Sequence, residues 1–274
     1  MSTHGKPMSI RDALYEAPGP RTRRRMIIGT VLSLAAVAVG IALIVRQFYV
    51  TGQLAPRYWT FLGQATTWRY LFQGFRGTLA VALTAGVLSL ILGLVLMLGR
   101  TSGIKPLSVA CRIVTDFFRG VPSLLLIYFF FLVVPQYGIK LSSFWMITLP
   151  VMLAASGVLA EVLRAGVNAV PRGQVEAAMS LGMRPARIMF KIVLPQVIKR
   201  ILPAMGNEII TLVKDTSLAF VLGMAEMFSV AKALAASNVS MIPYAIAALI
   251  YWVFCLFIEF ILGRLEKKLA YYHD

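Results

Sequence analysis

Six stretches of the chain are apolar for about the 20 residues that a helix needs to cross a bilayer core. They run approximately from Met26 to Arg46, Gly77 to Gly99, Val121 to Gly138, Phe144 to Arg164, Lys199 to Met224 and Ile242 to Gly263. The pattern predicts an all-α integral membrane protein with six transmembrane helices. The third run carries Pro135 near its end and the fifth carries internal charge. The first is longer than a signal-peptide core, and no small-x-small cleavage site follows it promptly, so it is expected to persist as a span. The segments are then a tail (1–25), a first span (26–46), an extracytoplasmic loop (47–76), a transmembrane domain (77–264) with a cytoplasmic loop (168–197), and a C-terminal tail (265–274). In the loop 47–76, Trp59, Phe61, Trp68, Tyr70 and Phe72 are spaced for a helix lying along the interface, where aromatic rings anchor at headgroup level.

Between the fourth and fifth runs lies a loop neither apolar enough to cross nor polar enough to be disordered, so it must pack on something. Pro171 opens a stretch of helix formers from Gln174 to Leu181, and Gly182 follows as a C-cap. The expected product is a two-turn helix closed by a glycine turn. Small Ala177 and Ala178 on its surface would allow close approach of a partner, and Glu176 offers a carboxylate to an arginine there. Ile192, Leu194 and Pro195 would pack the segment back against the bundle.

Basic residues orient the chain. With the N-terminus in the cytoplasm, 20 of the 27 lysines and arginines fall in inside segments and six outside, and Lys214 falls within a span. Cytoplasmic segments carry that excess, so both termini are expected in the cytoplasm.

Composition narrows the functional classes. With 59% hydrophobic and 14% charged residues, the chain departs from soluble domains, which hold roughly 45–50% apolar and about 25% charged residues. The net charge of +16 flanks apolar runs and forms no basic stripe with interleaved aromatics, so nucleic acid is not an expected partner. Cys111 and Cys255 lie far apart without CxxC or histidine neighbours, so neither a metal site nor a disulfide framework is expected. The two histidines, His4 and His273, lie at the chain ends, which leaves no imidazole base within the body. No lysine precedes Ser or Thr, so a phosphate-binding GxxxxGK[ST] loop is absent and the chain is not its own ATPase.

On the fifth span Asn207, Glu208, Thr211, Lys214 and Asp215 fall, at about 100° per residue, within one stripe about 120° wide. Each ionised group at mid-membrane costs roughly 2.5–3.5 kcal/mol on insertion scales, so the stripe must pair or line a wet cavity. It either borders a substrate path, with Lys214 meeting a carboxylate and Glu208 or Asp215 an ammonium, or forms an internal network that fixes helix packing. Glu161 and Arg164, three apart at the inner end of the fourth span, suit a helix-end ion pair. In the second span Ala82, Gly86, Ser89 and Gly93 form small-xxx-small pairs that allow close helix contact.

The loop between the fourth and fifth spans resembles the coupling loop of bacterial ABC importer permeases. That pattern is EAA, three residues, Gly, nine residues, Ile, one residue, Leu-Pro, and here it reads Glu176-Ala177-Ala178, Gly182, Ile192, Leu194-Pro195. Phe118-Arg119-Gly120-Val121-Pro122, Ala160-Glu161-Val162-Leu163-Arg164-Ala165-Gly166, Val170-Pro171-Arg172-Gly173-Gln174 and Lys214-Asp215-Thr216-Ser217-Leu218 look like the polar amino acid branch. The resemblance covers roughly 70–265 and implies a type I importer core of five helices plus one extra N-terminal helix. The tail Leu14-Tyr15-Glu16-Ala17-Pro18-Gly19-Pro20-Arg21 further resembles actinobacterial glutamate permeases.

The resemblance implies two ATPase subunits that bind ATP and Mg, a second permease subunit identical or homologous to this one, an extracytoplasmic substrate-binding protein, a bacterial plasma membrane location and no cofactor in this chain. Transport would proceed by alternating access, with a polar amino acid, glutamate foremost, as substrate. An ion-coupled secondary transporter using Lys214, Glu208 and Asp215 is the rival; it predicts inverted repeats, and the two halves show no such self-similarity. An intramembrane enzyme would need a paired nucleophile and base, and none is found.

Overall fold

A computed structural model of the chain describes residues 19–270. Residues 1–18 of the expected tail, His4 and most of the Leu14–Arg21 stretch among them, lie outside the described residues, as do 271–274 with His273. The described residues are almost wholly helical and form two units, divided between Arg57 and Tyr58.

In the first unit α1 runs over Pro20–Val50. It starts earlier than the apolar run, because Pro20 suits a first helical turn and Arg21, Arg23, Arg24 and Arg25 are good helix formers. The basic run is therefore helical rather than part of a tail. The helix buries none of its side chains, and an 18-residue stretch within it has a mean hydropathy of 2.6.

In the second unit α2 spans Ala65–Arg100, α3 Lys105–Gly120, α4 Ser123–Tyr128, α5 Ser143–Asn168, α6 Arg172–Ser180, α7 Pro185–Ile188, α8 Leu194–Asp215, α9 Met227–Asn238 and α10 Ile242–Ala270. Among the described residues α1, α2, α5 and α10 are each long and apolar enough to cross a membrane. Two bent pairs bring the number to six if each pair is one span. The fold is that of a multi-pass helical membrane protein.

Three expectations change. The segment 47–76 is not one loop with a helix of its own: α1 continues to Val50, short 3-10 turns cover Pro56–Tyr58 and Thr60–Gly63, and α2 begins at Ala65 rather than Gly77. Phe61 is buried, whereas Trp68, Tyr70 and Phe72 point outward from the first turns of α2. The hydropathy pattern marks where a helix meets the hydrocarbon, and backbone hydrogen bonding does not stop at that boundary.

The third apolar run is the second limb of a bent pair. Helix α3 meets the segment Ser123–Tyr137 at 98°. Pro122 causes the break: it has no N–H to donate and drives Val121 out of the helical region, to φ −89° and ψ 125°. After α4 the chain takes a wide turn at Phe129–Val133 and a 3-10 turn at Val134–Tyr137, ending on Gly138 at φ 78°.

The fifth run is α8 followed by a 3-10 turn, Thr216–Leu222, and then α9, which the apolar-run reading missed. The limbs Pro185–Leu222 and Met227–Asn238 meet at 51°.

Helices α2 and α5 pack along most of their length, and α3, α4, α8 and α9 surround them. Their approach is close where side chains vanish: a Cβ on Gly93 would lie 3.1 Å from the Ser156 carbonyl oxygen and the Leu159 Cβ. Val81, Ala85, Ile127, Val151 and Leu212 form a central core. Met97, Leu163, Ala178, Val193, Val197 and Ile201 form a second core at the end that carries α6.

Candidate functional site

The segment from α5 to α8 is a helix hung from the bundle by a few contacts. Pro171 stands at the N-cap of α6 with φ −59° and ψ 129°. The helix closes on Gly182 at φ 73°, whose N–H donates to the Met179 carbonyl at 2.9 Å, while Met183 donates to Ala178 at 3.1 Å. This is a Schellman closure, and a residue without a Cβ suits its left-handed position.

The two alanines of the motif part company. Ala178 is buried in the core made with Met97, Leu163, Ile188, Val193 and Val197, whereas Ala177 is exposed. The expectation that both lie on the surface is thus corrected: the turn of about 100° from Ala177 to Ala178 carries the second alanine into the core, where it anchors the helix. Glu176, Met179, Ser180 and Leu181 share the exposed side, with Leu181 at 82% exposure. Among the described residues no basic group forms a salt bridge with Glu176. Ile192 and Leu194 are half-buried against the same core, and Pro195 is an exposed residue in the first turn of α8. Gln196 donates to the Gln174 side chain at 2.6 Å and Arg200 donates to the Ala169 carbonyl, tying the start of α6 and the turn before it to α8.

The polar stripe of α8 divides. Asn207, Thr211 and Lys214 are exposed; Glu208 and Asp215, on the neighbouring edge, are half-buried. Thr211 donates to the Asn207 carbonyl at 3.0 Å. Lys214 borders a hollow of about 220 Å³ shared with Ser217, Phe228, Tyr244 and Tyr251. Glu208 opens instead onto an apolar hollow of about 200 Å³ between α2 and α8, near Gly86, Leu90 and Met205. Lys214 and Glu208 therefore border different hollows. No ion pair among the described residues joins Lys214 to Asp215.

Glu161 and Arg164 pair at 2.5 Å and 3.0 Å, and the pair belongs to a larger cluster. Arg100, at the end of α2, reaches Glu161 at 2.9 Å, and Arg119 and Asp116 join from α3. Residue spacing showed the i,i+3 pair; the contact to Arg100, 61 residues away, depends on how α2 lies against α5.

Glu226 was missed. Its side chain, 0% exposed, caps α9 by accepting from the Phe228 N–H at 2.7 Å and the Ser229 N–H at 2.5 Å. Tyr251 of α10 donates to it at 3.4 Å, and Thr78 of α2 accepts from the Met227 N–H at 3.3 Å. Gly77 admits this turn, since a Cβ there would fall 2.2 Å from the Ala225 carbonyl oxygen. A signal was present: Met227, Val230, Ala231, Leu234 and Ala235 follow helical periodicity directly after Gly223 and Glu226. Glu226→Ala leaves two amide donors unpaired in a dry site, at about 1–3 kcal/mol for each unsatisfied group. The purified protein should lose its native thermal transition at a clearly lower temperature in detergent, and Glu226→Gln, which keeps one acceptor oxygen, should lose less.

Comparison with known proteins adds a family. The family model described as "Binding-protein-dependent transport system inner membrane component" matches residues 96–271. The arginine transport system permease protein ArtQ of Bacillus subtilis (strain 168) is 34% identical over 202 residues, covering 73% of this chain and 92% of that protein. The glutamate transport system permease protein GluD of Corynebacterium glutamicum is 35% identical over 180 residues, covering 64% of this chain and 66% of that one. Among solved structures, an amino acid ABC transporter crystallised with histidines aligns at a TM-score of 0.70 with 32% identity, covering 76% of this chain and 98% of that chain.

Proposed function

The chain belongs to the family of binding-protein-dependent transport system inner membrane components and is a permease subunit of an amino acid ABC transporter; from that premise we propose that it imports a polar amino acid, glutamate foremost, by alternating access driven through α6. The observation that carries this reading is the exposed face of α6. Glu176, Ala177 and Leu181 stand clear of the bundle on a helix whose other side, through Ala178, is continuous with the core. A pull on this peg displaces α2, α5 and α8 together.

Two ATPase subunits holding ATP and Mg receive the peg on the cytoplasmic side of the bacterial plasma membrane, where both termini lie, and this chain performs no covalent chemistry. A substrate-binding protein delivers the solute from outside. A second permease subunit, identical or homologous, covers the exposed Asn207, Thr211 and Lys214. Uncovered, an ionised Lys214 facing lipid would cost roughly 2.5–3.5 kcal/mol. The substrate's carboxylate meets Lys214, and its ammonium meets Glu208 or Asp215, supplied by either subunit.

The test uses the assembled transporter in vesicles with no ion gradient. Uptake should require ATP and the substrate-binding protein, and unlabelled glutamate should compete best. Lys214→Met should lower uptake about tenfold while leaving solute binding to the external protein unchanged, since tenfold corresponds to about 1.4 kcal/mol of one lost charge contact. Uptake driven by an ion gradient without ATP would instead support a secondary transporter. Better competition by arginine, cystine or glutamine would overturn glutamate and leave the importer reading in place.

A further inference from the structure

Where α2, α3 and α5 meet near α6, two carboxylates and two guanidinium groups are arranged so that each cation has a choice. Arg100 lies 2.9 Å from Glu161 and 3.8 Å from Asp116. Arg119 lies 3.9 Å from Asp116 and 4.0 Å from Glu161. Arg164 clasps Glu161 from within α5, and Arg112 holds Asp116 at 3.6 Å from within α3. Glu161 thus keeps Arg164 on its own helix and Asp116 keeps Arg112 and Arg119 on its own, while Arg100 of α2 reaches both carboxylates and Arg119 also reaches across to Glu161.

The contacts are unequal. Those to Glu161 from α2 and α5 are short, whereas every contact made by Asp116 lies between 3.6 Å and 3.9 Å. Two of those three contacts lie within α3 itself; the ion pairs that α3 makes to its neighbours, Asp116 to Arg100 at 3.8 Å and Arg119 to Glu161 at 4.0 Å, are the long ones of the cluster. The end of α3 comes close to α5 at Gly157, where a Cβ would lie 3.0 Å from the Arg119 Cγ and 3.1 Å from the Phe118 Cβ.

Glu161 stands seven residues before the end of α5 at Asn168, about 10 Å along the axis. Only Ala169–Pro171 separates that end from α6, so a displacement of α6 reaches Glu161 through a rigid helix. Beyond α3, the 98° break at Val121–Pro122 turns a shift of α3 into a reorientation of α4.

We propose that Asp116, Glu161, Arg100 and Arg119 form a partner-exchange latch, in which Arg100 is held by Glu161 in the conformation seen here and passes to Asp116 when α6 is displaced. Glu161 and Asp116 are positioning residues in this scheme: neither touches the solute. Exchange keeps every charge paired in both states, which a partly buried cluster requires if the two conformations are to differ by only a few kcal/mol. The latch rests on the reading of α6 as the element that partner ATPases move.

The test compares Glu161→Gln with Asp116→Asn in the assembled transporter in vesicles, measuring solute imported and ATP consumed together. Each substitution leaves Arg100 one carboxylate and biases the latch to one side. Both variants should lower uptake about tenfold and raise ATP consumed per solute several-fold, with ATPase subunits still bound. Glu161→Asp, which keeps the charge, should recover most of the coupling. Spin labels on α3 and α5 should report one distance in each variant whether or not ATP is trapped, and two in the unsubstituted protein. Asp116 is half exposed, so its variant keeps the test open should Glu161→Gln fail to fold. An unchanged ratio of ATP to solute in both folded variants, or a label distance that still responds to ATP, overturns the latch. If the unsubstituted transporter itself shows no ATP-dependent uptake, the importer reading fails instead.

Discussion

Glu176→Lys is expected to reduce ATP-driven uptake to background, a loss of about a hundredfold or more, while the permease still inserts and elutes as a single species in detergent. Glu176 is exposed on α6 and no basic group of the described chain forms an ion pair with it, so the substitution removes nothing that holds the bundle together. Surface changes of this kind move stability by about ±0.5 kcal/mol. On the function proposed above, the loss arises at the partner. Removing one side of a hydrogen-bonded charge pair at an interface costs about 2–5 kcal/mol or more, and placing a lysine against an arginine adds repulsion. The ATPase subunits should therefore bind weakly and their hydrolysis should no longer respond to the loaded substrate-binding protein. Glu176→Gln, which retains a hydrogen-bond acceptor, should fall between. Uptake by Glu176→Lys within twofold of the unsubstituted protein would remove α6 from the transport cycle.

Ala178→Glu is expected to do comparable damage by the opposite route. Ala178 is 2% exposed among Met97, Leu163, Ile188, Val193 and Val197. A glutamate there must bury an unpaired carboxylate and overfill a packed layer; overpacking alone costs about 1–3 kcal/mol, and the buried charge adds several more. The helix should leave its seat, so that the segment holding the already exposed Arg184 and Arg187 unfolds locally and is cut by trypsin, and the thermal transition in detergent should fall markedly. Ala177→Glu makes the same chemical change one residue earlier on the exposed side. It should leave the thermal transition and the protease pattern unaltered and impair only ATPase binding. Equal destabilisation by the two variants would mean that α6 does not sit as described.

The positions of the helices were largely written in the hydropathy of the chain, and the places where that reading slipped share one cause. Apolar runs report the hydrocarbon thickness, so they underestimated α2, which continues through Trp68 and Tyr70 outside its apolar part. They passed over α9, whose apolar face is short and interleaved with Lys232 and Ser237. Proline chemistry is readable in principle at Val121–Pro122, but a 98° break needs both limbs to be recognised, and α3 is not one of the six apolar runs because Arg112, Asp116 and Arg119 interrupt it.

Local spacing and solvent preference by themselves determined the membrane class, the six apolar stretches, the EAA-type helix with its glycine cap at Gly182, and the i,i+3 pairing of Glu161 with Arg164. These depend on backbone geometry over a few residues and on the difference between water and hydrocarbon, both of which act on the chain wherever it lies. Tertiary structure alone decided that Ala178 faces inward while Ala177 faces out, that Arg100 and Arg119 converge on Glu161, that Glu208 and Lys214 open onto different hollows, and that Glu226 is sealed beneath Thr78 and Tyr251. Which side of a helix is covered, and which distant charge meets it, follows from the packing of helices far apart in sequence, and periodicity along one helix does not encode the rotation of its neighbour.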